Sequence, residues 1–417
     1  MCTRQQIPLW QLILSALSPA SYKIKCYHQK IWWPKNNFLP GALVGIRCIT
    51  INSYVAYHLA DKFRQAGAFV VMGGPHASCL PEEALRHCDS VVIGEAESVW
   101  LQVVKDFEQG KLERIYRGKP LDDFFYPVKD YFLKLDPKVL LRAGIAITRG
   151  CKYHCDFCAR PEGGARYMKT EYVVALIERM KSRAKNAFIK RPTFIFQSEN
   201  NIFSDPIAAK DIFRALIPLK IKWMSPCSID IAFDEEALQL AKDSGCRSLF
   251  IGFETVYPAR FKKTADQGML SLDDYARAAK KIKSYGISIV ASFIIGIDGC
   301  KHLDYWRLLF FFLKTRFFFV VITLLTPFPG TDLFRRLLRE GRLKTQRWDK
   351  YDLLFNIVFK PSGISVLSLT GWFLLIRVVS FLSSTKGIQL IFFIFFMDKF
   401  GYLLGYWVVK YLKGIFF

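Results

Sequence analysis

The chain has 417 residues, 52% hydrophobic and 23% charged, and 59 Lys and Arg set against 36 Asp and Glu give a net charge of +23. That length exceeds one ordinary core and predicts two domains with an appendage, and the composition excludes a disordered chain. A field of this sign favours polyanions (RNA, DNA, an anionic membrane surface, phosphorylated small molecules), with a merely solubilising surface as the competing reading.

Eleven cysteines are an odd number in a long chain that shows no leader with a basic start and cleavage site, so a reducing cytoplasm is expected. Residues 9–17 are apolar but short and carry Gln11, which predicts an amphipathic helix. A buried strand is expected at 42–50 (ALVGIRCIT), then a helix at 54–65 closed by Gly67. A strand at 68–72 runs into Gly73-Gly74-Pro75-His76, a helix starts near Pro81, and a strand at 90–93 runs into Gly94-Glu95-Ala96-Glu97. Strand and helix alternating around glycine-rich strand ends predict an α/β fold, a parallel doubly wound sheet over residues 1–120 with its ligand at those ends.

Residues 119–137, rich in Asp, Tyr and Pro, read as a connector. A second series follows, with strands expected at 144–148, 193–197, 222–227, 248–253, 288–295 and 318–325. Helices are expected between them at 171–185, 207–216, 234–244, 272–285 and 303–315. Repeats of this kind predict a partial (β/α)6 barrel over 138–335, with chemistry gathered at the C-terminal strand ends. Residues 336–417 are expected to form a hydrophobic, mostly helical extension. Within 364–417 no run reaches the ~20 apolar residues of a spanning helix, because Arg377, Lys386, Asp398, Lys399 and Lys410 interrupt it. A peripheral, lipid-facing element competes there with helices packed on the barrel or on a second subunit.

Directly after the first barrel strand stands Arg149-Gly150-Cys151-Lys152-Tyr153-His154-Cys155-Asp156-Phe157-Cys158. Three thiolates, Cys151, Cys155 and Cys158, on one tight loop can hold three corners of a four-iron cluster and leave the fourth iron open to a substrate. Gly150 permits the turn, and Phe157 can shield the cluster from water. A structural zinc needs four closed ligands, and only His154 in the same loop could complete this set. Ordinary burial accounts for Cys227 and Cys246 but not for this spacing.

This motif resembles that of the radical S-adenosylmethionine (radical SAM) superfamily. The resemblance implies a 4Fe-4S cluster whose open iron chelates S-adenosylmethionine, and an electron that releases a 5'-deoxyadenosyl radical. Further matches lie at strand ends. Phe196-Gln197-Ser198-Glu199-Asn200-Asn201 sits where the family places polar residues, and Gly252-Phe253-Glu254-Thr255 resembles the family's Gly, Ile or Phe, Glu, Ser or Thr. Gly296-Ile297-Asp298 and Thr326-Pro327-Phe328-Pro329-Gly330-Thr331 follow. By resemblance Glu199 and Glu254 contact S-adenosylmethionine, with Gly252 and Gly296 beside it. Singly, each also reads as a solvated carboxylate or a turn.

The front motifs, Gly73-Gly74-Pro75-His76 and Gly94-Glu95-Ala96-Glu97, resemble the cobalamin-binding domain that precedes the barrel in one large subfamily, and the likeness covers most of residues 1–350. It implies cobalamin close to Gly73, Gly74 and Gly94. No D-x-H-x-x-G sequence is present, so His76 reads as a turn residue rather than a cobalt ligand. The family's strand ahead of 9–17 is missing, so this sheet is expected to be truncated.

The expected function is therefore radical SAM chemistry with cobalamin-dependent methyl transfer to an unactivated carbon of a hydrophobic substrate, such as a lipid. A flavodoxin or ferredoxin would serve as electron donor, in a cytoplasmic protein with membrane contact. Ring formation, rearrangement or sulfur insertion is the alternative. Sulfur insertion on tRNA is disfavoured because Cys26, Cys48, Cys79 and Cys88 are scattered. From another class, a degenerate relative would bind membrane or nucleic acid by charge alone. No substrate acid or base is assignable.

Overall fold

The structure, a computed structural model, describes residues 9–26, 40–122, 145–159, 164–186, 193–196, 201–255 and 271–384. The chain divides into two compact units. The first comprises Met1–Val139, Cys155–Met168 and Leu325–Lys360, and the second Leu140–His154, Lys169–Leu324 and Pro361–Phe417.

The first unit is built on four parallel strands in consecutive order, β1 (Leu43–Arg47), β2 (Phe69–Gly73), β3 (Ser90–Gly94) and β4 (Ile115–Gly118). In β2 the side chains alternate between two cores, as a pleated strand requires. Val70 and Met72 pack with Ala56, Tyr57, Ala60 and Phe63 of helix α2 (Ser53–Gln65), while Val71 packs with Val103 and Val104. Those two valines belong to α5 (Trp100–Glu108), and α1 (Leu9–Leu17) joins the same core through Leu14 and Leu17. Both faces of the sheet are thus covered, which matches the continuous apolar runs of the central strands β2 and β3. The helix expected near Pro81 is two short ones, α3 (Pro75–Cys79) and α4 (Pro81–Ala84). Each starts on a proline, which fits the first turn where an N–H has no partner.

Residues 325–360 contradict the expected boundary at 336. Helix α11 (Asp332–Arg339) is capped by Thr331, whose Oγ1 accepts from the Phe334 N–H, and Phe334, Trp348, Tyr351 and Val358 close on Leu80 of the first unit. The Trp348 indole donates to Glu83 at 2.9 Å, so this segment buries its aromatic surface within the first unit. The short strand β6 (Arg166–Tyr167) also belongs to this unit.

In the second unit, β5 is Thr148–Arg149, and five parallel strands run in the order β11-β10-β9-β8-β7. They are β7 (Thr193–Ile195), β8 (Lys222–Cys227), β9 (Cys246–Glu254), β10 (Ser288–Ile295) and β11 (Phe319–Leu324). Ile145 adds a parallel bridge to Phe196 at the far edge, so the expected first barrel strand is a bridge and the short β5. The connecting helices are α6 (Thr170–Asn186), α7 (Pro206–Leu216), α8 (Glu235–Asp243), α9 (Leu272–Ser284) and α10 (His302–Thr315). Phe253, Phe293, Phe311, Phe312 and Phe317 meet in one aromatic cluster behind the sheet. Each such ring contributes about 1.5–3 kcal/mol on burial.

Helix α12 (Val366–Ser383) packs on α10, and its Trp372 indole donates to His302 Nδ1 at 2.8 Å. Its 18 residues with mean hydropathy 1.8 are long and apolar enough to cross a membrane by length and composition. Arg377 interrupts this apolar helix, as the sequence indicates. Residues 385–417, the remainder of the expected extension, lie outside the described residues.

Candidate active site

The cysteine loop starts on Gly150, whose φ of +76° is open to glycine and strained for other residues. Cys151 and Cys155 are half-buried and Cys158 is exposed, with the Cys158 N–H turned back on the Cys155 carbonyl at 3.1 Å. Phe157 is half-buried beside them in sequence.

In the second unit the loop is held by a residue that sequence reasoning missed. Asp230, 8% exposed, stands in the helical turn Ile229–Phe233 that follows β8. Its carboxylate accepts from the Tyr153 hydroxyl and from Ser228 Oγ at 3.3 Å, and pairs with Lys152 Nζ at 3.1 Å. A buried carboxylate with two donors and a cation is charge-assisted and fixes geometry. In the first unit Asp156 is anchored in its turn. Its carbonyl accepts from the Leu333 N–H at 2.9 Å, and its carboxylate lies 3.4 Å from Arg336. Burial nevertheless pushes that carboxyl above its ordinary range, outweighing Arg336. The side chains of Lys152 and Tyr153 are thus held in the second unit, and the backbone at Asp156 in the first.

A single ion draws its ligands onto one point. Among the described residues no three His, Cys, Asp or Glu side chains converge in that way. A four-iron cluster takes each thiolate on a different iron. The donor set fits a four-iron cluster with an open corner.

The strand ends of the second unit supply polar groups. Glu254, the last residue of β9, has φ +62°, rare for a residue with a side chain. β9 pairs Gly252 with Ser292 and then Glu254 with Phe293, so Phe253 is an extra residue and the strand bulges. The Tyr275 hydroxyl and the Thr255 N–H both close on the Phe253 carbonyl, at 3.3 and 2.7 Å. A Cβ on Gly252 would overlap a carboxylate oxygen of Glu254, so glycine there leaves room for that side chain. Gly296, just past β10, has φ +98°. Asn201 is buried behind β7, its Oδ1 accepting from the Ser228 and Phe203 N–H groups at 2.8 and 3.0 Å. Its Nδ2 is a buried donor with no acceptor among the described residues, which suits a bound oxygen ligand. Glu199, expected as a contact, lies outside the described residues.

The glycines of the first unit end their strands as expected, but chain packing accounts for two of them. A Cβ on Gly74, at φ +100°, would lie 2.8 Å from the Cys48 carbonyl oxygen, and one on Gly94 would overlap the Gly118 carbonyl. Gly73 has only ordinary contacts. His76, read as a turn residue, is a core residue 1% exposed, with Nδ1 3.3 Å from Thr50 Oγ1 and Nε2 3.5 Å from Glu83. Burial lowers its pKa against the opposing pull of Glu83. Arg166 pairs with Glu95 and donates to the Leu121 carbonyl at 2.7 Å, which fixes the residues after the cysteine loop to the β3 strand end. Cys48 and Cys88 are buried in the apolar core, and burial pushes both thiols up to about 12.

Residues 145–312 match the radical SAM superfamily model. The bacteriochlorophyllide d C-12(1)-methyltransferase of Chlorobaculum tepidum is 28% identical over 330 residues, covering 77% of this chain and 71% of that protein. The bacteriochlorophyllide d C-8(2)-methyltransferase of the same organism is 27% identical over 383 residues, covering 85% and 81%. Among solved structures, the radical S-adenosylmethionine methyltransferase TsrM of Kitasatospora setae, with cobalamin and a 4Fe-4S cluster bound, superposes with a TM-score of 0.56 at 16% identity. That superposition spans 72% of this chain and 67% of TsrM, and it shows a shared fold. The barrel strands and the cysteine loop thus lie in the stretch, residues 145–312, that is similar to the radical SAM superfamily.

Proposed function

We propose that this chain is a cobalamin-dependent radical SAM methyltransferase that methylates an unactivated carbon of a hydrophobic small molecule. The observation that carries the reading is the C-x3-C-x2-C loop fixed to the strand-end layer of a parallel half-barrel by Asp230. Two methyltransferases matched over most of this chain, both named for a bacteriochlorophyllide, support the reaction class and an apolar substrate. The fold shared with cobalamin-bound TsrM supports the second cofactor.

When bound, the cluster, S-adenosylmethionine and cobalamin supply the electron, the adenosyl radical and the methyl group that protein side chains cannot. The chain's own part is holding and orienting. Cys151, Cys155 and Cys158 would hold the irons. Asp230 keeps Lys152 and Tyr153 in place between them, Asn201 offers a preformed amide donor, and Glu254 presents a carboxylate from a strained strand end. The unit with strand-end glycines 73, 74 and 94 would receive cobalamin. The reducing electron comes from a separate donor, for which a flavodoxin or ferredoxin is the natural class.

The test is anaerobic reconstitution with iron, sulfide and hydroxocobalamin, followed by gel filtration and a methylation assay with a chlorophyllide-type tetrapyrrole. Retention of both cofactors with methylated product supports the proposal. Cluster without cobalamin would leave a radical SAM enzyme of another reaction type.

A further inference from the structure

The described surface of the second unit carries two exposed apolar stripes on neighbouring helices. On α10, Leu303, Trp306, Phe310 and Leu313 are exposed, at spacings of three and four that place them on one face. Phe310 is 65% exposed and Trp306 48%. On α12, Leu367, Leu374, Leu375, Val378 and Leu382 are exposed, with Leu367 at 83%. The Trp306 and Trp372 rings meet edge to face at 5.2 Å, which brings the first stripe up to the second helix. A monomeric soluble surface seldom leaves so many large apolar side chains together without a partner.

The rim identifies the partner. Lys301, Arg307, Lys314 and Arg316 are exposed on or beside α10, with Lys314 paired to Asp273 and Arg307 to Asp304, while α12 has no acidic residue and only Arg377 as a charge. The chain's +23 adds a long-range field of the same sign. An apolar face with aromatic residues and a basic border matches the interface of an anionic lipid bilayer, where apolar side chains enter the acyl boundary and cations meet the headgroups. A second copy of the chain would bring the same cations against themselves.

We propose that the α10–α12 face docks peripherally on an anionic bilayer. The surface is independent of the chemistry proposed above, so the two can fail separately.

The experiment is flotation of the full chain with vesicles of phosphatidylglycerol and phosphatidylethanolamine, and with phosphatidylcholine alone. It compares the wild type, the double variant Phe310→Glu with Leu374→Glu, and the control Leu101→Glu, an exposed leucine of α5. Brominated lipids in the vesicles provide a second readout through indole quenching, compared between the wild type and Trp306→Phe. The expected result is binding to anionic vesicles that falls about tenfold or more in the double variant, as the loss of two buried apolar side chains and gain of two like charges implies. The control should float like the wild type, and Trp306→Phe should lose part of the quenching. Equal flotation of wild type and double variant would overturn the proposal and assign membrane contact elsewhere, such as to residues 385–417. A wild type that ignores vesicles, and a dimer that the double variant breaks, would overturn it in favour of a second copy.

Discussion

The carboxylate of Glu254 occupies the space that a side chain at position 252 would fill, so Gly252 and Glu254 act as a pair at the end of β9. Gly252→Ala should push the carboxylate aside and weaken S-adenosylmethionine binding toward the level of Glu254→Ala. Glu254→Gly should lose the same affinity yet unfold at higher denaturant, because relieving a left-handed backbone returns about 0.5–1 kcal/mol. Equilibrium binding and urea titration on the same samples check both. Unchanged affinity in Gly252→Ala would separate Glu254 from the cofactor.

Asp230→Asn keeps the shape but removes the charge that faces Lys152 and Tyr153. The loss of a charge-assisted buried bond should cost about 1–3 kcal/mol of stability. A sharper effect is expected on the loop, with less iron and sulfide bound per chain and an altered electron paramagnetic resonance signal. Asp230→Glu should restore part of it. A variant that is merely less stable, with a normal cluster signal, would deny Asp230 a positioning role.

Glu95 and Arg166 are both nearly buried, at 12% and 10% side-chain exposure. Removing one partner leaves a buried charge, so Arg166→Met should cost about 3–5 kcal/mol. Replacing both with apolar residues should recover much of that loss. A double-mutant cycle in urea measures the difference.

Burial lowers the pKa of His76, so the unfolded state takes up its proton first as pH falls. Stability contributed by neutral His76 is thus present above the ordinary histidine pKa, about 6.5, and is lost as pH drops through it. Urea midpoints at pH 8 and pH 5.5 should differ in the wild type and differ less in His76→Gln. An equal pH dependence in both would assign the effect to other groups.

Much of the fold was legible because its signals are local. Apolar runs at 222–227 and 288–295 became β8 and β10 with the same bounds, β8 following Lys220 at φ +49° and β10 following Gly286 at φ +77°. The cysteine loop was legible for the same reason, as spacing within eight residues. Asp230 was not, because its partner Tyr153 lies 77 positions away and nothing in Ser228-Ile229-Asp230 differs from an ordinary strand end. The boundary at 336 failed because Trp348 and Tyr351 find their core beside Leu80, a contact no local pattern encodes. His76 looked like a turn beside two glycines, yet the fold closes Thr50 and Glu83 around it.

The central claim is that Cys151, Cys155 and Cys158 hold a cluster that cleaves S-adenosylmethionine. Its most direct test is a dithionite-driven assay for 5'-deoxyadenosine after anaerobic reconstitution, comparing the wild type with Cys155→Ala. The account predicts product from the wild type and none above background from the variant. A wild type that assembles a cluster but releases no 5'-deoxyadenosine, or a variant that releases as much, would contradict it.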